Sequence, residues 1–476
     1  MLNTVFDPVH LLAATLDVVA GSHAPPSWLA SRQQQRLARL LESACSDSAV
    51  YRERAGKRQI GPADWQRLKP VTRSELMSRF GDWVTDPALN LDELRDFTAD
   101  PARIAEPWLG KYMVWDSSGT SGLPGVFLQD ARAMAVYDAL EAVRHRVPGR
   151  SASLMGSFAL SDLLAIGDRY ALVTATGGHF ASVCSLERLR RVNPWIAAKS
   201  RSFSLQQPTE SLVQALNDYE PSILATYPSA AAMLAEEFEQ GRLRVRPRCV
   251  MTGGETLSLA ARARIAEAFG ALVRDSYGAS EFLPMAWECA HGHLHLNEDW
   301  LLLEPVDEHY RPVPLGEFSH TVLLTNLANH VQPLIRYDLG DQVNLHADRC
   351  VCGSVLPVIE VRGRSDDTIR VPGRSRGQQV SLLPLALCTV LEEECGIFDF
   401  QLLQREPSTL VVRLPFDGPD GQAALERCRA ALQAFAASQG AQPIRVLGEL
   451  GCVLPRGRSG KACRVMLESA ARPEPL

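Results

Sequence analysis

The chain has 476 residues, 49 Lys and Arg against 55 Asp and Glu, a formal charge of −6 and 46% hydrophobic residues. That length supplies two or three domains with a large core, and the mild acidity without any basic run argues against nucleic-acid binding as the main task. The apolar stretch 11–20 holds Asp17, follows no basic residue and is too short to span a bilayer, so no membrane partner and a cytoplasmic location are expected. Eleven cysteines, an odd number scattered along the chain, suit reduced thiols better than a disulfide framework.

In chain order, Trp28, Leu29, Leu37, Leu40 and Leu41 recur at helical spacing and predict a helical segment over 27–57. From about 151 to 285, strand-like and helix-like stretches alternate. Residues 222–227 read as a strand, 229–240 as a helix stopped by Gly241, and 248–252 as a strand. Residues 258–269 read as a helix closed by Gly270, and 272–276 as a further strand. This alternation predicts α/β layers. After 285 the pattern turns β-rich, with strands expected over 294–306 and 320–325. A polar, glycine-containing stretch at 362–366 predicts a boundary. Beyond it a small α+β domain is expected, with helices over 382–394 and 420–438 and strands over 398–403, 409–414 and 444–447. The expected class is therefore α/β: a large multi-layer N-terminal domain (1–362) with a β-rich subdomain, and a small mobile α+β C-terminal domain (363–476).

The most informative feature is Ser-Ser-Gly-Thr-Ser-Gly-Leu-Pro-Gly at 117–125, directly after the apolar stretch 111–116. Its glycines let the backbone turn N–H groups toward one point, and Ser117, Ser118, Thr120 and Ser121 add hydroxyl donors. Such a loop suits a polyphosphate, although the Gly-Lys-Ser/Thr ending of the common NTPase loop is missing. Two further segments close predicted strands: Thr-Gly-Gly-Glu-Thr at 252–256 and Tyr-Gly-Ala-Ser-Glu at 277–281. Ligands of open α/β sheets bind beyond such carboxyl ends. Tyr277 can offer an aromatic face to a base, and Glu281 a hard oxygen ligand to Mg²⁺. Asp341, in Arg-Tyr-Asp-Leu-Gly-Asp (336–341), can accept from two ribose hydroxyls. The stretch 361–367 carries Arg-Gly-Arg-Ser-Asp at the suspected boundary. The chain has five lysines, and Lys461, in Ser-Gly-Lys at 459–461, is the sole one after Lys199.

With these motifs in this order over roughly 110–465, the chain resembles the adenylate-forming superfamily of acyl-CoA synthetases, adenylation domains and luciferases. Within it the chain is most similar to phenylacetate–coenzyme A ligases. The resemblance implies that Ser117, Ser118, Gly119 and Thr120 hold the β- and γ-phosphates of ATP. It implies that Gly254, Glu255 and Tyr277 frame adenine, that Asp341 and Arg364 bind the ribose, and that Gly278 and Ser280 complete the nucleotide set. Glu281 would hold Mg²⁺, with Thr120 beside it. Asp366 would be the hinge on which the C-terminal domain turns between half-reactions. Lys461 would contact the carboxylate and the α-phosphate during adenylation. The acid would lie between Tyr227, Gly253, Gly278 and Ala279, walled by His179 and Phe180, so an aromatic or cyclic monocarboxylic acid is expected. Leu123 stands where the family's loop commonly carries lysine.

Cys289 and three histidines at 291, 293 and 295 precede Cys350-Val-Cys352-Gly. This pattern reads as a zinc knuckle with Cys289, His295, Cys350 and Cys352 as ligands and His291 as the competing histidine. Some relatives resemble this arrangement, and there the metal is structural. The activity implied is ATP-dependent, AMP-forming acid–thiol ligation with coenzyme A as acceptor. Transfer to an amine or a carrier-protein thiol, and a non-catalytic nucleotide-binding relative, stand as the alternatives. The resemblance also allows a homodimer.

Overall fold

The computed structural model describes residues 5–57, 60–117, 125–145, 168–362, 368–375, 377–397, 399–454 and 464–468. The first two helices, Pro8–His23 and Pro26–Asp47, both begin with proline in the first turn, where its missing N–H costs nothing. Asp7 caps the first by accepting from Val9 N–H and His10 N–H. The expected segment 27–57 is two helices, because Ser48 is extended and separates Pro26–Asp47 from Ala49–Ala55. No helix of the described residues is long and apolar enough to cross a membrane.

A short antiparallel pair, β1 (Met113–Asp116) and β2 (Val126–Gln129), brings Asp116 opposite Val126. The strands that follow are β3 (Tyr170–Thr174), β4 (Ser200–Ser204), β5 (Ile223–Thr226), β6 (Cys249–Gly253), β7 (Leu272–Ala279), β8 (Phe282–Glu288) and β9 (Leu294–Leu296). Next come β10 (Leu301–Val306), β11 (Thr321–Asn326), β12 (Tyr337–Asp338), β13 (Gln342–Leu345) and β14 (Val358–Arg362). One nine-stranded sheet runs β13-β14-β9-β8-β7-β6-β5-β3-β4, while β10, β11 and β12 form a separate sheet. The five strands from β4 to β7 are parallel, as the alternation with helices predicts. Those from β7 to β13 are antiparallel. The change of direction occurs at the β7–β8 hairpin, which carries the 277–281 motif.

Helices Pro228–Glu239 and Leu259–Phe269 follow β5 and β6, as expected. Ser258 caps the second through Ala261 N–H, and Gly270 closes it in the left-handed region at φ 59°. The expected strand 294–306 is split into β9 and β10, because Asn297 is buried between them and bonds Met285 O and Pro284 O across the sheet. In the C-terminal part, β15 (Ile369–Pro372) pairs with β16 (Gln379–Leu382). The strands β17 (Gln401–Glu406), β18 (Thr409–Arg413), β19 (Arg445–Glu449) and β20 (Val465–Leu467) form a sheet in the order β19-β18-β17-β20. Helix Gly418–Ser438 packs on it. The expected helix 382–394 starts at Pro384, and a wider π-type turn over Val390–Glu394 follows it. Buried apolar residues between 369 and 465, Leu387 and Leu391 among them, merge with those of the parallel strands into one cluster.

Candidate active site

The carboxyl ends of β5, β6 and β7 line up, and each contributes a motif. After β6, Gly254 adopts φ 78°, and a Cβ there would lie 2.9 Å from Tyr227 Cε1, so glycine lets the tyrosine ring lie on the turn. Tyr227 Oη is 2.7 Å from Thr174 Oγ1, which fixes the ring from β3. The Glu255 carboxylate accepts from Ser229 N–H and Ser229 Oγ–H, both at 3.0 Å, and so satisfies the first turn of helix Pro228–Glu239. At the β7–β8 hairpin a Cβ on Gly278 would fall 1.8 Å from Leu283 O, so only glycine fits. Trp115 Nε1–H holds the following turn by donating to Ser280 O at 2.9 Å.

Two distant motifs meet directly. Tyr277 Oη–H donates to Asp341 Oδ2 at 2.9 Å. Tyr337 Oη–H donates to Glu281 Oε1 at 2.7 Å, and Glu281 is buried. At the hydroxyl-rich stretch, Ser117 N–H donates to Gly125 O at 2.8 Å and Gly125 N–H donates to Ser117 Oγ at 2.9 Å, so its two ends are closed on each other. A cavity of about 1380 Å³ joins these groups. Its wall includes Ser117, Tyr227, Gly253, Gly254, Glu255, Asp341 and the whole motif 277–281 with Ala279 and Ser280. Phe180 also lines it, as expected.

His179 does not. Its ring is buried against Phe97, with centroids 5.2 Å apart, and its Nε2 lies 3.0 Å from Asp100 O. Packing of helix Leu91–Thr98 takes this side chain, so His179, expected in the wall of an acid pocket, does not line the cavity. Ser118, Gly119, Thr120, Arg364, Asp366 and Lys461 lie outside the described residues. The C-terminal part contributes Leu385, Cys388, Thr389 and Arg464 to the cavity wall, the last in a buried ion pair with Glu392. Glu393 reaches the turn at Gly177 and Gly178, where an added Cβ would come within 2.8 and 2.7 Å of its carboxylate oxygens. Burial pushes the Glu393 carboxyl up to about 7.

Three cavity groups escaped the sequence reading: Arg73, Asp116 and the Tyr337–Glu281 bond. Asp116, the polar end of an otherwise apolar strand, was the visible signal. Its Oδ1 is buried without a hydrogen-bond partner among the described residues, and burial pushes the carboxyl up to about 7. The unfolded chain loses this proton near 3.8, the ordinary aspartate value, whereas the folded protein keeps it to about 7. Stability therefore falls as pH rises through that window. Between pH 5 and 8 the Asp116 contribution declines by about 2–3 kcal/mol at 1.36 kcal/mol per unit. Urea midpoints at both pH values are expected to show this decline in the parent and its absence in Asp116→Asn. Equal pH slopes for the two proteins would contradict the assignment.

A second cluster sits away from these motifs, at the end of β8. The donor atoms of Cys289, His295, Cys350 and Cys352 all lie within 4.8 Å of one another. Cys289 Sγ is 3.8 Å from Cys350 Sγ, and Cys352 Sγ is 3.3 Å from His295 Nε2. With metal bonds of about 2.3 Å to sulfur and 2.0–2.1 Å to nitrogen, a tetrahedral zinc ion separates its ligands by roughly 3.5–3.8 Å, so the set fits. Pairing of β9 with β14 sets His295 opposite Val358. His295 Nδ1 lies 2.8 Å from Leu356 O, which leaves Nε2 as the ligand atom. Backbone N–H groups of His291, Cys352 and Ser354 donate to the three sulfurs. His291 contributes this backbone bond and its imidazole is not in the cluster. His293, unread in the sequence, places Nδ1 3.1 Å from Cys350 Sγ.

No protein-family model matches the chain. A phenylacetate–coenzyme A ligase of Thermus thermophilus is 29% identical over 212 residues, which cover 42% of this chain and 46% of that protein. Another, from Escherichia coli, is 25% identical over 409 residues, covering 83% of this chain and 80% of that protein. The chain thus spans about half the length of the Thermus relative and four-fifths of the E. coli one. Among solved structures, a 2-hydroxyisobutyryl-CoA ligase in complex with 2-HIB-AMP and CoA, in the thioesterification state, superposes with TM-score 0.59 at 21% identity, covering 94% of this chain and 91% of that one. The same enzyme in the postadenylation state gives 0.55 at 21% identity, covering 95% and 92%. At that identity the likeness shows a shared fold.

Proposed function

We propose, for a chain similar in sequence to phenylacetate–coenzyme A ligases and sharing the fold of adenylate-forming CoA ligases, that it activates an organic acid with ATP and passes the acyl group to coenzyme A. The observation that carries this reading is the convergence of Ser117, the Tyr277–Asp341 pair and Glu281 on one cavity. In the first half-reaction a carboxylate oxygen attacks the α-phosphorus, the bond to the bridging α–β oxygen breaks, and pyrophosphate leaves. The acid is already ionised near neutral pH, so the step needs no general base. Positioning and charge stabilisation supply the rate. Ser117 and its neighbours hold the outer phosphates, Tyr277 lies along adenine, and Asp341, oriented by Tyr277, accepts from the ribose. Glu281 offers Mg²⁺ a carboxylate, and the bound ion would neutralise phosphate charge. Lys461 stabilises the oxygens that gain charge. In the second half-reaction the coenzyme A thiolate attacks the acyl carbon and AMP departs. Phe180 and Tyr227 wall the acid site and favour an aromatic or cyclic acid. The Cys289, His295, Cys350 and Cys352 set would hold a structural zinc that ties β8, β9 and the 350–353 turn together.

The test is acid-dependent ATP–pyrophosphate exchange over a library of aliphatic, cyclic and aromatic acids. Exchange with an aromatic or cyclic monocarboxylic acid, followed by acyl-CoA formation on adding coenzyme A, is the expected result. Exchange with no acid would overturn the adenylating function, and exchange without transfer to coenzyme A would overturn the acceptor.

A further inference from the structure

We propose that Arg73 is the cation that grips the outer phosphates of the nucleotide, an inference that rests on the adenylating function above. The stretch 117–125 carries hydroxyl side chains but no lysine or arginine. A triphosphate carries about two more negative charges than AMP, and hydroxyls alone do not neutralise them. Arg73, 44 residues upstream of Ser117, brings Nη1 to 3.1 Å from Ser117 Oγ. Its Cδ would lie 3.1 Å from a Cβ on Gly125, so the side chain crosses the point where the stretch closes.

Arg73 lines the same cavity, its Nε is buried without a hydrogen-bond partner, and no ion pair neutralises it among the described residues. The guanidinium also interacts with the Tyr337 hydroxyl, the group that donates to Glu281. The cation and the carboxylate assigned to Mg²⁺ are thus linked through one phenol. A guanidinium presents a rigid fork of N–H donors that matches phosphate oxygens, and an unneutralised one in a cavity wall is suited to a polyanion. A mere strap on Ser117 needs only the hydrogen bond and not the charge, and this difference can be measured.

The experiment is calorimetric titration of the full chain and its Arg73→Gln and Arg73→Lys variants. The ligands are the magnesium complex of α,β-methylene-ATP, whose α–β bridge cannot be cleaved, and AMP. Glutamine keeps a donor for Ser117 and removes the charge. The expected result is a 10- to 100-fold weaker triphosphate analogue in Arg73→Gln, AMP changed less than twofold, and most of the loss restored in Arg73→Lys. Equal weakening of both ligands would make Arg73 a structural strap, and unchanged triphosphate affinity would remove it from the site. Either result overturns the inference while leaving nucleotide binding intact. A parent protein that binds neither ligand overturns the proposed function and this inference together.

Discussion

Lys461→Ala is expected to slow acid-dependent pyrophosphate exchange by on the order of 10²–10³-fold, the usual loss when one preorganised donor to a developing oxyanion is removed. Attack of coenzyme A on a supplied acyl adenylate should fall by less than about tenfold, because the group is assigned to the first half-reaction only. The asymmetry matters more than the size of either loss. A general packing defect would slow both steps together, whereas a cation that meets the carboxylate and α-phosphate only during adenylation slows one. Rapid-quench assays of the two half-reactions separate the cases, and equal losses would remove Lys461 from its role. Arg464, three residues on, lines the cavity and is paired with Glu392, and it provides the control. Its substitution leaves a buried carboxylate without its partner and should lower stability along with both rates.

The second large effect is expected at the proposed zinc site. Protein prepared without chelator is expected to hold about one equivalent, and Cys350→Ser or His295→Ala less than a tenth of one. Structural zinc contributes roughly 10–16 kcal/mol in small peptides that have no fold without it. Here β8, β9 and β14 pair through backbone bonds as well, so a fraction of that is expected to be lost. The loss should be local: amide exchange should quicken over 288–296 and 350–358, while the parallel strands keep their protection. His291→Ala should keep the metal, because only the His291 backbone touches the cluster. Zinc below a tenth of an equivalent in the parent protein would contradict the site.

Local signals carried much of the architecture. Ser258 and Gly270 mark both ends of a helix by capping chemistry that depends on near neighbours, and the short apolar runs at 222–227 and 248–252 became β5 and β6. The grouping of Cys289, His295, Cys350 and Cys352 was legible because cysteine and histidine have few roles at such spacing, although its closure depends on β9 meeting β14. The Asp7 and Pro8 signals for the first helix were present in the sequence and passed unread. Asn297 breaks its strand through bonds to Met285 O and Pro284 O, partners that no local window contains. Arg73 and Ser117, and Tyr337 and Glu281, lie 44 and 56 residues apart, so only the folded chain reveals them as neighbours. His179 shows the converse: a ring in the right loop, but taken up by Phe97.

The most direct measurement follows one oxygen atom. An acid that supports exchange is labelled with oxygen-18 in its carboxylate and turned over with ATP and coenzyme A, and the products are analysed by mass spectrometry. Attack of the carboxylate on the α-phosphorus followed by thiolysis leaves one labelled oxygen in AMP and none in pyrophosphate. Label in inorganic phosphate with ADP as co-product, or unlabelled AMP, would contradict an acyl adenylate formed in this cleft.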